Sequence, residues 1–133
     1  DFMEDIIPKL TKFAEKYCDC VVVGATCDRF GKQTYGMQRR VMSIFSARCD
    51  EIPALGNIVE GDTFNANCVL IPSDIFCDVG NFDSKYHHSL ADWDYGFAIS
   101  KRGYKIINYN KYVGYCEKNS CKNTWKDPSL SII

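Results

Sequence analysis

Apolar and polar positions along the chain predict helices and strands in turn. Apolar residues between Asp1 and Tyr17 recur at helical spacing. Because proline is tolerated in the first helical turn, we expect the regular helix to begin near Pro8. The all-apolar run Cys20–Gly24 is typical of a strand that is covered on both faces. A hairpin or loop is expected from there to Gly36.

The middle of the chain predicts two more strands and a short helix. We expect a short strand at Val41–Phe45 and a buried strand at Thr63–Ile71. Between them, Asp50–Gly61 contains glycine and proline and is typical of a mobile loop. A proline–serine–aspartate sequence then begins a short helix that reaches Val79.

The last third predicts one further helix and one further strand. Asp92 begins an amphipathic helix, and Gly103 ends it. Tyr104–Tyr109 alternates as a strand does, whereas the tail Gly114–Ile133 has no strong period. Because helices and strands alternate, we expect an α/β layered fold. The roughly four strands that the pattern reveals are few for a complete doubly wound sheet.

Composition narrows the classes of function. The 133 residues suit one domain, and 16 basic and 17 acidic residues give a net charge of −1. Since the chain has no basic run or stripe, nucleic acid is not an expected partner. No apolar stretch is long enough to cross a bilayer. The acidic opening lacks the basic region of a signal peptide, and the first residue is not Met, so a natural start is expected to lie upstream.

Eight cysteines suggest disulfides or zinc, but their spacing argues against both. One residue separates Cys18 from Cys20 and four separate Cys116 from Cys121, so no C-x-x-C pair exists. Most of the others lie in or beside apolar runs, where a reduced cysteine behaves as a small hydrophobe. We therefore expect thiols in a reducing, cytoplasmic compartment and no metal site within the chain.

The candidate chemistry lies around Trp93. Asp92 and Asp94 flank this indole where the last helix begins, and His87 and His88 precede them. An acid–aromatic–acid cluster beside histidine is suited to bind a sugar and to deprotonate its hydroxyl. A helix-capping role for Asp92 stays open on the residues alone. Asp94 is expected to interact with the helix dipole and only secondarily with substrate.

Further side chains are candidates for substrate binding. Asn65 and Asn67 alternate with other residues along a predicted strand, so they are expected to face a cleft where a sugar's hydroxyls would satisfy them. Trp93 could stack on a sugar ring or pack in the core. His88 is a candidate for the acceptor pocket. Trp125 is expected either to close over the site or to pack as part of an ordinary tail.

Several segments stand in an order that resembles a known family. They are Asp1-Phe-Met-Glu-Asp-Ile-Ile7, Val21-Val-Val-Gly24, Asn65-Ala-Asn-Cys-Val-Leu-Ile-Pro72 with Val79-Gly-Asn-Phe-Asp83, Ala91-Asp-Trp-Asp-Tyr-Gly-Phe97 with Lys101-Arg-Gly-Tyr104, and Asn123-Thr-Trp-Lys-Asp-Pro-Ser-Leu130. Together they resemble the second half of the catalytic domain of family-2 glycosyltransferases, the inverting enzymes of the nucleotide-diphospho-sugar (GT-A) fold.

The resemblance implies a partial GT-A layered sheet with flanking helices. Residues 1–133 would then be the acceptor-side portion of the catalytic domain, and the nucleotide-binding half with its Asp-X-Asp motif would lie upstream. The implied reaction transfers a sugar from a nucleotide-diphospho-sugar to a glycan hydroxyl, with Asp92 as general base. Mn²⁺ or Mg²⁺ is expected for the whole enzyme, with ligands mostly outside this chain, so the isolated chain is expected to be inactive.

Two departures from the family pattern leave other functions open. Ala91 stands where the family usually has a first carboxylate, and a downstream histidine of the family has no clear counterpart. A degenerate transferase that binds sugar without reacting is one alternative, and a non-catalytic carbohydrate-binding or interaction module is another. The glycan acceptor of an active enzyme could be associated with a membrane. A closed sheet edge would favour the module, and an unpaired edge would favour the transferase portion.

Overall fold

The computed structural model describes residues 1–44, 47–86, 90–120 and 122. Within these residues the chain forms three helices and eight strands. In chain order they are α1 (Ile6–Ala14), β1 (Cys20–Cys27), β2 (Gln33–Tyr35), β3 (Met37–Met42), β4 (Ala47–Glu51), β5 (Glu60–Gly61), β6 (Thr63–Phe64), β7 (Val69–Leu70), α2 (Ser73–Val79), α3 (Ala91–Lys101) and β8 (Lys105–Tyr115).

The strands form two sheets. The first has the order β2–β1–β8–β5, and β7 also pairs with β1. In this sheet β1 and β8 run parallel, and the other pairs are antiparallel. The second sheet is antiparallel, with the order β4–β3–β6. The mixture of sheets and helices confirms the predicted α/β class.

β1 is buried on both faces, as the apolar run Cys20–Gly24 predicts, and it continues beyond that run to Cys27. Because side chains alternate along a strand, β1 contributes to two cores. Val23 belongs to the core that includes Ile75 of α2 and Ile99 of α3, whereas Val22 belongs to the core that includes Leu10 of α1. The first sheet therefore lies between α1 on one face and α2 and α3 on the other.

The helix boundaries follow local signals. α1 begins at Ile6, slightly before the predicted start, and has Pro8 in its first turn as expected. α2 spans Ser73–Val79 as predicted. Gly103 follows α3 with a φ of 87°, a left-handed conformation that glycine adopts without strain.

Two predictions about the middle of the chain differ from the structure. The predicted strand Val41–Phe45 overlaps only the end of β3, which begins at Met37 and ends at Met42, and Phe45 lies outside the described residues. The predicted loop Asp50–Gly61 is shorter, because β4 extends to Glu51 and β5 occupies its last two residues. These strands exist through pairing with β3 and β8, which local periodicity does not reveal.

The prediction of one continuous strand over Thr63–Ile71 is wrong. This segment contains two strands, β6 and β7, which belong to different sheets and are joined by a turn at residues 65–68. Asparagine favours turns over strands, which explains the break. Asn65 and Asn67 therefore do not share one face of a strand. Strands of two residues are too short to produce a period, so the sequence pattern predicts about four strands where the described residues form eight.

Two expectations about the whole chain can be compared with the described residues. The seven cysteines that the structure describes are not joined by disulfides, as expected. Among the described residues, no helix is both long and apolar enough to cross a membrane.

β8 is longer than the predicted strand Tyr104–Tyr109, since it continues to Tyr115 alongside β1.

Candidate functional site

Asp92 lies in the first turn of α3, but it does not occupy the N-cap position. The N-cap position belongs to Leu90, which has a left-handed backbone (φ 68°) and makes no side-chain capping hydrogen bond. The capping interpretation of Asp92 is therefore wrong. Its Oδ1 accepts a hydrogen bond of 2.9 Å from the backbone N–H of Trp93, one of the N–H groups that the start of a helix leaves without a helical partner.

The second carboxylate oxygen of Asp92 joins α3 to the turn between β6 and β7. Oδ2 accepts a hydrogen bond of 3.3 Å from the backbone N–H of Ala66. Ala66 lies between Asn65 and Asn67, so the structure brings the predicted base next to the predicted binding segment. The Asp92 residue is half-buried and the turn beside it is exposed at Ala66, which leaves this neighbourhood open to solvent.

Asn65 is oriented towards the second sheet. Its Oδ1 accepts a hydrogen bond of 2.7 Å from Nε2 of Gln38, and its backbone N–H donates to the carbonyl oxygen of Gly36 at 2.9 Å. Oε1 of Gln38 is buried without a hydrogen-bond partner among the described residues. Buried amide oxygens are normally hydrogen-bonded, so Gln38 has an unused acceptor next to Asn65.

Asn67 is exposed, and its side chain contacts the segment that follows β8. Its Nδ2 donates to Sγ of Cys116 at 3.9 Å, just after the end of β8. The two asparagines therefore contact different parts of the structure, β3 and the residue after β8, although they are close in sequence. Ala66, which lies between them, donates its backbone N–H to Asp92.

Asp94 connects α3 to the segment that precedes it. Oη of Tyr86 donates a hydrogen bond of 3.2 Å to Oδ1 of Asp94, and the negative charge of this carboxylate raises the pKa of Tyr86 above its ordinary value. The adjacent Tyr95 donates to the carbonyl oxygen of Gly80 at 2.7 Å. Asp94 thus holds Tyr86 against α3, whereas its predicted interaction with the helix dipole stays a prediction.

Trp93 lines an open groove of about 320 Å³ between α3 and the β3–β4 pair. The other lining residues are Arg40, Arg48, Cys49 and Phe97. Phe97 follows Trp93 by one helical turn, so both rings lie on the same face of α3. The guanidinium carbon of Arg40 lies 5.5 Å from the centre of the Phe97 ring. The groove thus combines two aromatic side chains with two cations.

The sequence pattern predicts only Trp93 among the lining residues of this groove. Phe97 could have been found from its helical spacing to Trp93. Arg40 could not, because it reaches the groove through the pairing of β3 with β4, where it lies opposite Cys49. The predicted roles of His88 and Trp125 stay predictions, since both residues lie outside the described ranges.

The expected divalent cation has no ligand set in the part of the chain that the structure describes. No group of three or more His, Cys, Asp or Glu side chains in that part could hold a metal ion.

Comparison with known proteins does not identify a family. No protein-family model, no curated protein and no solved structure matches this chain significantly. The resemblance to family-2 glycosyltransferases therefore rests on the sequence motifs alone.

Proposed function

We propose that this chain is the acceptor-side portion of an inverting glycosyltransferase of the GT-A fold. It contributes to the transfer of a sugar from a nucleotide-diphospho-sugar to a glycan hydroxyl, with Asp92 as general base. The observation that carries the proposal is the environment of Asp92, a half-buried residue whose carboxylate accepts hydrogen bonds from two backbone N–H groups and which directly precedes Trp93, a lining residue of the groove.

This environment suits the chemistry of an inverting transfer. The acceptor hydroxyl attacks the anomeric carbon, the nucleotide diphosphate leaves from the opposite face, and the hydroxyl loses its proton as the new bond forms. A carboxylate within hydrogen-bond reach accepts that proton and accelerates the reaction by about 10²–10⁴-fold. An ionised carboxylate has about four acceptor positions. Trp93 and Ala66 use two, so others are left for the acceptor hydroxyl.

The groove supplies a surface for the acceptor. Its volume falls within the range of small-molecule sites, about 300–1,000 Å³. The rings of Trp93 and Phe97 offer apolar area on which the C–H face of a sugar ring can pack. Trp93 follows Asp92 directly in α3, so a sugar in the groove lies close to the turn that carries the proposed base.

The first sheet offers a place for the donor-binding half. Among the described residues β7 pairs only with β1, so its other edge presents unpaired backbone groups that a further strand can use. We propose that a strand of the nucleotide-binding half pairs there. That half would bring the donor site and the Mn²⁺ or Mg²⁺ ligands, which the described residues lack.

Thermal-shift and transfer assays test the proposal. They are made on this chain and on the same chain extended by its upstream coding sequence, with a panel of nucleotide-sugars and Mn²⁺ or Mg²⁺. A nucleotide-sugar at a hundred times its Kd should add about 2.7 kcal/mol of stability to the extended protein. Asp92→Asn should then lower kcat by about 10²–10⁴-fold and leave this stabilisation unchanged.

Asp74→Asn is the matched control, because Asp74 is an exposed acid in the first turn of another helix, α2. It should leave kcat unchanged. If the extended protein responds to no nucleotide-sugar, the transferase proposal is wrong and the binding-module alternative takes its place. If Asp92→Asn retains full activity, another group is the base.

A further inference from the structure

We propose that the groove selects an acceptor sugar that carries a negative charge, and that Arg40 binds this charge. A uronic acid carboxylate and a sugar phosphate share the required chemistry. The inference rests on the proposed function, because it takes the groove beside Asp92 as the acceptor site. Its first support is the composition of the groove, whose described lining contains two arginines and no carboxylate.

Of the two lining arginines, Arg40 is the one that forms no ion pair with a carboxylate of the described residues. Nε of Arg48 lies 2.8 Å from Oδ1 of Asp50, so this cation is paired. The ion pairs among the described residues do not include Arg40. Its Nε contacts Sδ of Met42 at 3.2 Å, and the carboxylate of Asp62 accepts a hydrogen bond from the backbone N–H of Arg40. The side chain thus brings to the groove a positive charge that forms no ion pair with any of the described residues.

The surroundings of Arg40 prepare it for an anion. The Phe97 ring orients the guanidinium from one side, while the thioether of Met42 is only a weak hydrogen-bond acceptor that an anion can replace. A guanidinium donates two parallel hydrogen bonds to a carboxylate or phosphate. Together with the apolar rings of Trp93 and Phe97, this arrangement fits a sugar ring with one charged substituent.

Arg39 provides a matched control on the same strand. Successive side chains of a strand point to opposite faces, and Nη2 of Arg39 donates to the carbonyl oxygen of Glu60 at 2.7 Å. Both arginines are exposed. Arg39→Gln therefore removes the same charge as Arg40→Gln from a neighbouring position that does not line the groove.

Binding is measured by NMR titration of the full chain, without any donor. The probes are methyl glucuronide, methyl glucoside 6-phosphate and neutral methyl glucoside. The charged probes should bind about tenfold more tightly than the neutral one and shift the indole signal of Trp93. Arg40→Gln should remove this preference, Arg40→Lys should keep part of it, and Arg39→Gln should keep all of it. Added salt should weaken the charged probes only.

The two charged probes distinguish a uronic acid from a sugar phosphate as the natural substituent. Equal affinity for all three probes would overturn the inference, as would an equal loss of preference in Arg39→Gln and Arg40→Gln. Transfer assays separate this failure from that of the proposed function. Transfer to neutral acceptors that depends on Asp92 and survives Arg40→Gln would overturn charge selection alone. Binding of charged probes through Arg40 in a protein that uses no nucleotide-sugar would overturn the transferase and its acceptor role.

Discussion

The hydroxyl of Thr63 donates a hydrogen bond of 2.8 Å to the carbonyl oxygen of Trp93 and so joins β6 to the first turn of α3. Thr63 is completely buried, and Gly96 packs against it. A Cβ atom at position 96 would lie 2.7 Å from Cα of Thr63 and would overlap its hydroxyl oxygen. The position of Asp92 and Trp93 therefore depends on a close approach of strand and helix that a glycine allows.

Gly96→Ala should destabilise the protein by about 1–3 kcal/mol, because the added methyl group overpacks this contact. The sign is informative, since alanine is favoured over glycine in a helix interior by about 1 kcal/mol. Urea unfolding measures the change, and probe titration at the groove should show weaker binding. A variant as stable as the parent would mean that α3 and β6 can separate at no cost.

Substitution of Asn108 should destabilise the protein more than substitution of most other polar residues. Its buried side chain accepts a hydrogen bond from the N–H of Val59 at 2.7 Å and donates to the carbonyl oxygens of Ala54 and Asn57 at 3.3 and 3.2 Å. Asn108→Ala leaves these backbone groups without a hydrogen-bond partner and should lower the free energy of unfolding by about 2–4 kcal/mol.

Asn110→Ala is the control for Asn108, because the side chain of Asn110 donates an exposed hydrogen bond to the carbonyl oxygen of Gly56. This substitution should lower the free energy of unfolding by less than about 1 kcal/mol. Hydrogen exchange of residues 54–59 should rise in Asn108→Ala and change little in Asn110→Ala. Equal stability of the two variants would contradict the role assigned to Asn108.

The titration of Tyr86 should depend on Asp94. The carboxylate of Asp94 disfavours the tyrosinate form and raises the pKa of Tyr86 above its ordinary value of 10.0. Asp94→Asn should therefore lower this pKa, as measured by carbon NMR of the phenol ring. Because the folded-state pKa is raised, the associated stability is present below about pH 10 and is lost above it. A titration that Asp94→Asn leaves unchanged would mean that the two side chains are apart in solution.

The cysteines should react in the order of their burial. Cys18 and Cys77 are exposed, whereas Cys20 and Cys27 are buried, and burial raises the pKa of both buried thiols above the ordinary value of 9.0. Iodoacetamide at neutral pH should modify the exposed pair first, as peptide mass spectrometry will show, since the thiolate is the reactive form.

The same pKa shifts predict a loss of stability in alkaline solution. A raised folded-state pKa means that the unfolded chain ionises first, so stability falls as the pH rises above about 9. Urea unfolding at pH 8 and pH 10 measures the fall.

The alkylation experiment also tests the fold. If iodoacetamide modified Cys27 as rapidly as Cys18 in the folded protein, the burial of Cys27 in β1 would be contradicted.

The sequence by itself determined the features that a few neighbouring residues decide. The unbroken apolar run of β1 predicts burial on both faces, and both cores confirm it. Pro8 and Gly103 mark helix ends because their backbone preferences are local. The place of Asp92 in the first turn of α3 follows from the same kind of signal.

Only the tertiary structure decided the pairing of the short strands and the composition of the groove. The sequence pattern places Asn65 and Asn67 on one strand. In the structure they lie in the turn between β6 and β7, which belong to different sheets, and their side chains contact different residues. Arg40 comes beside Phe97, and Ala66 beside Asp92, only because strands far apart in sequence pack under one helix. Such contacts depend on strand register and helix packing, which hydrophobic periodicity does not specify.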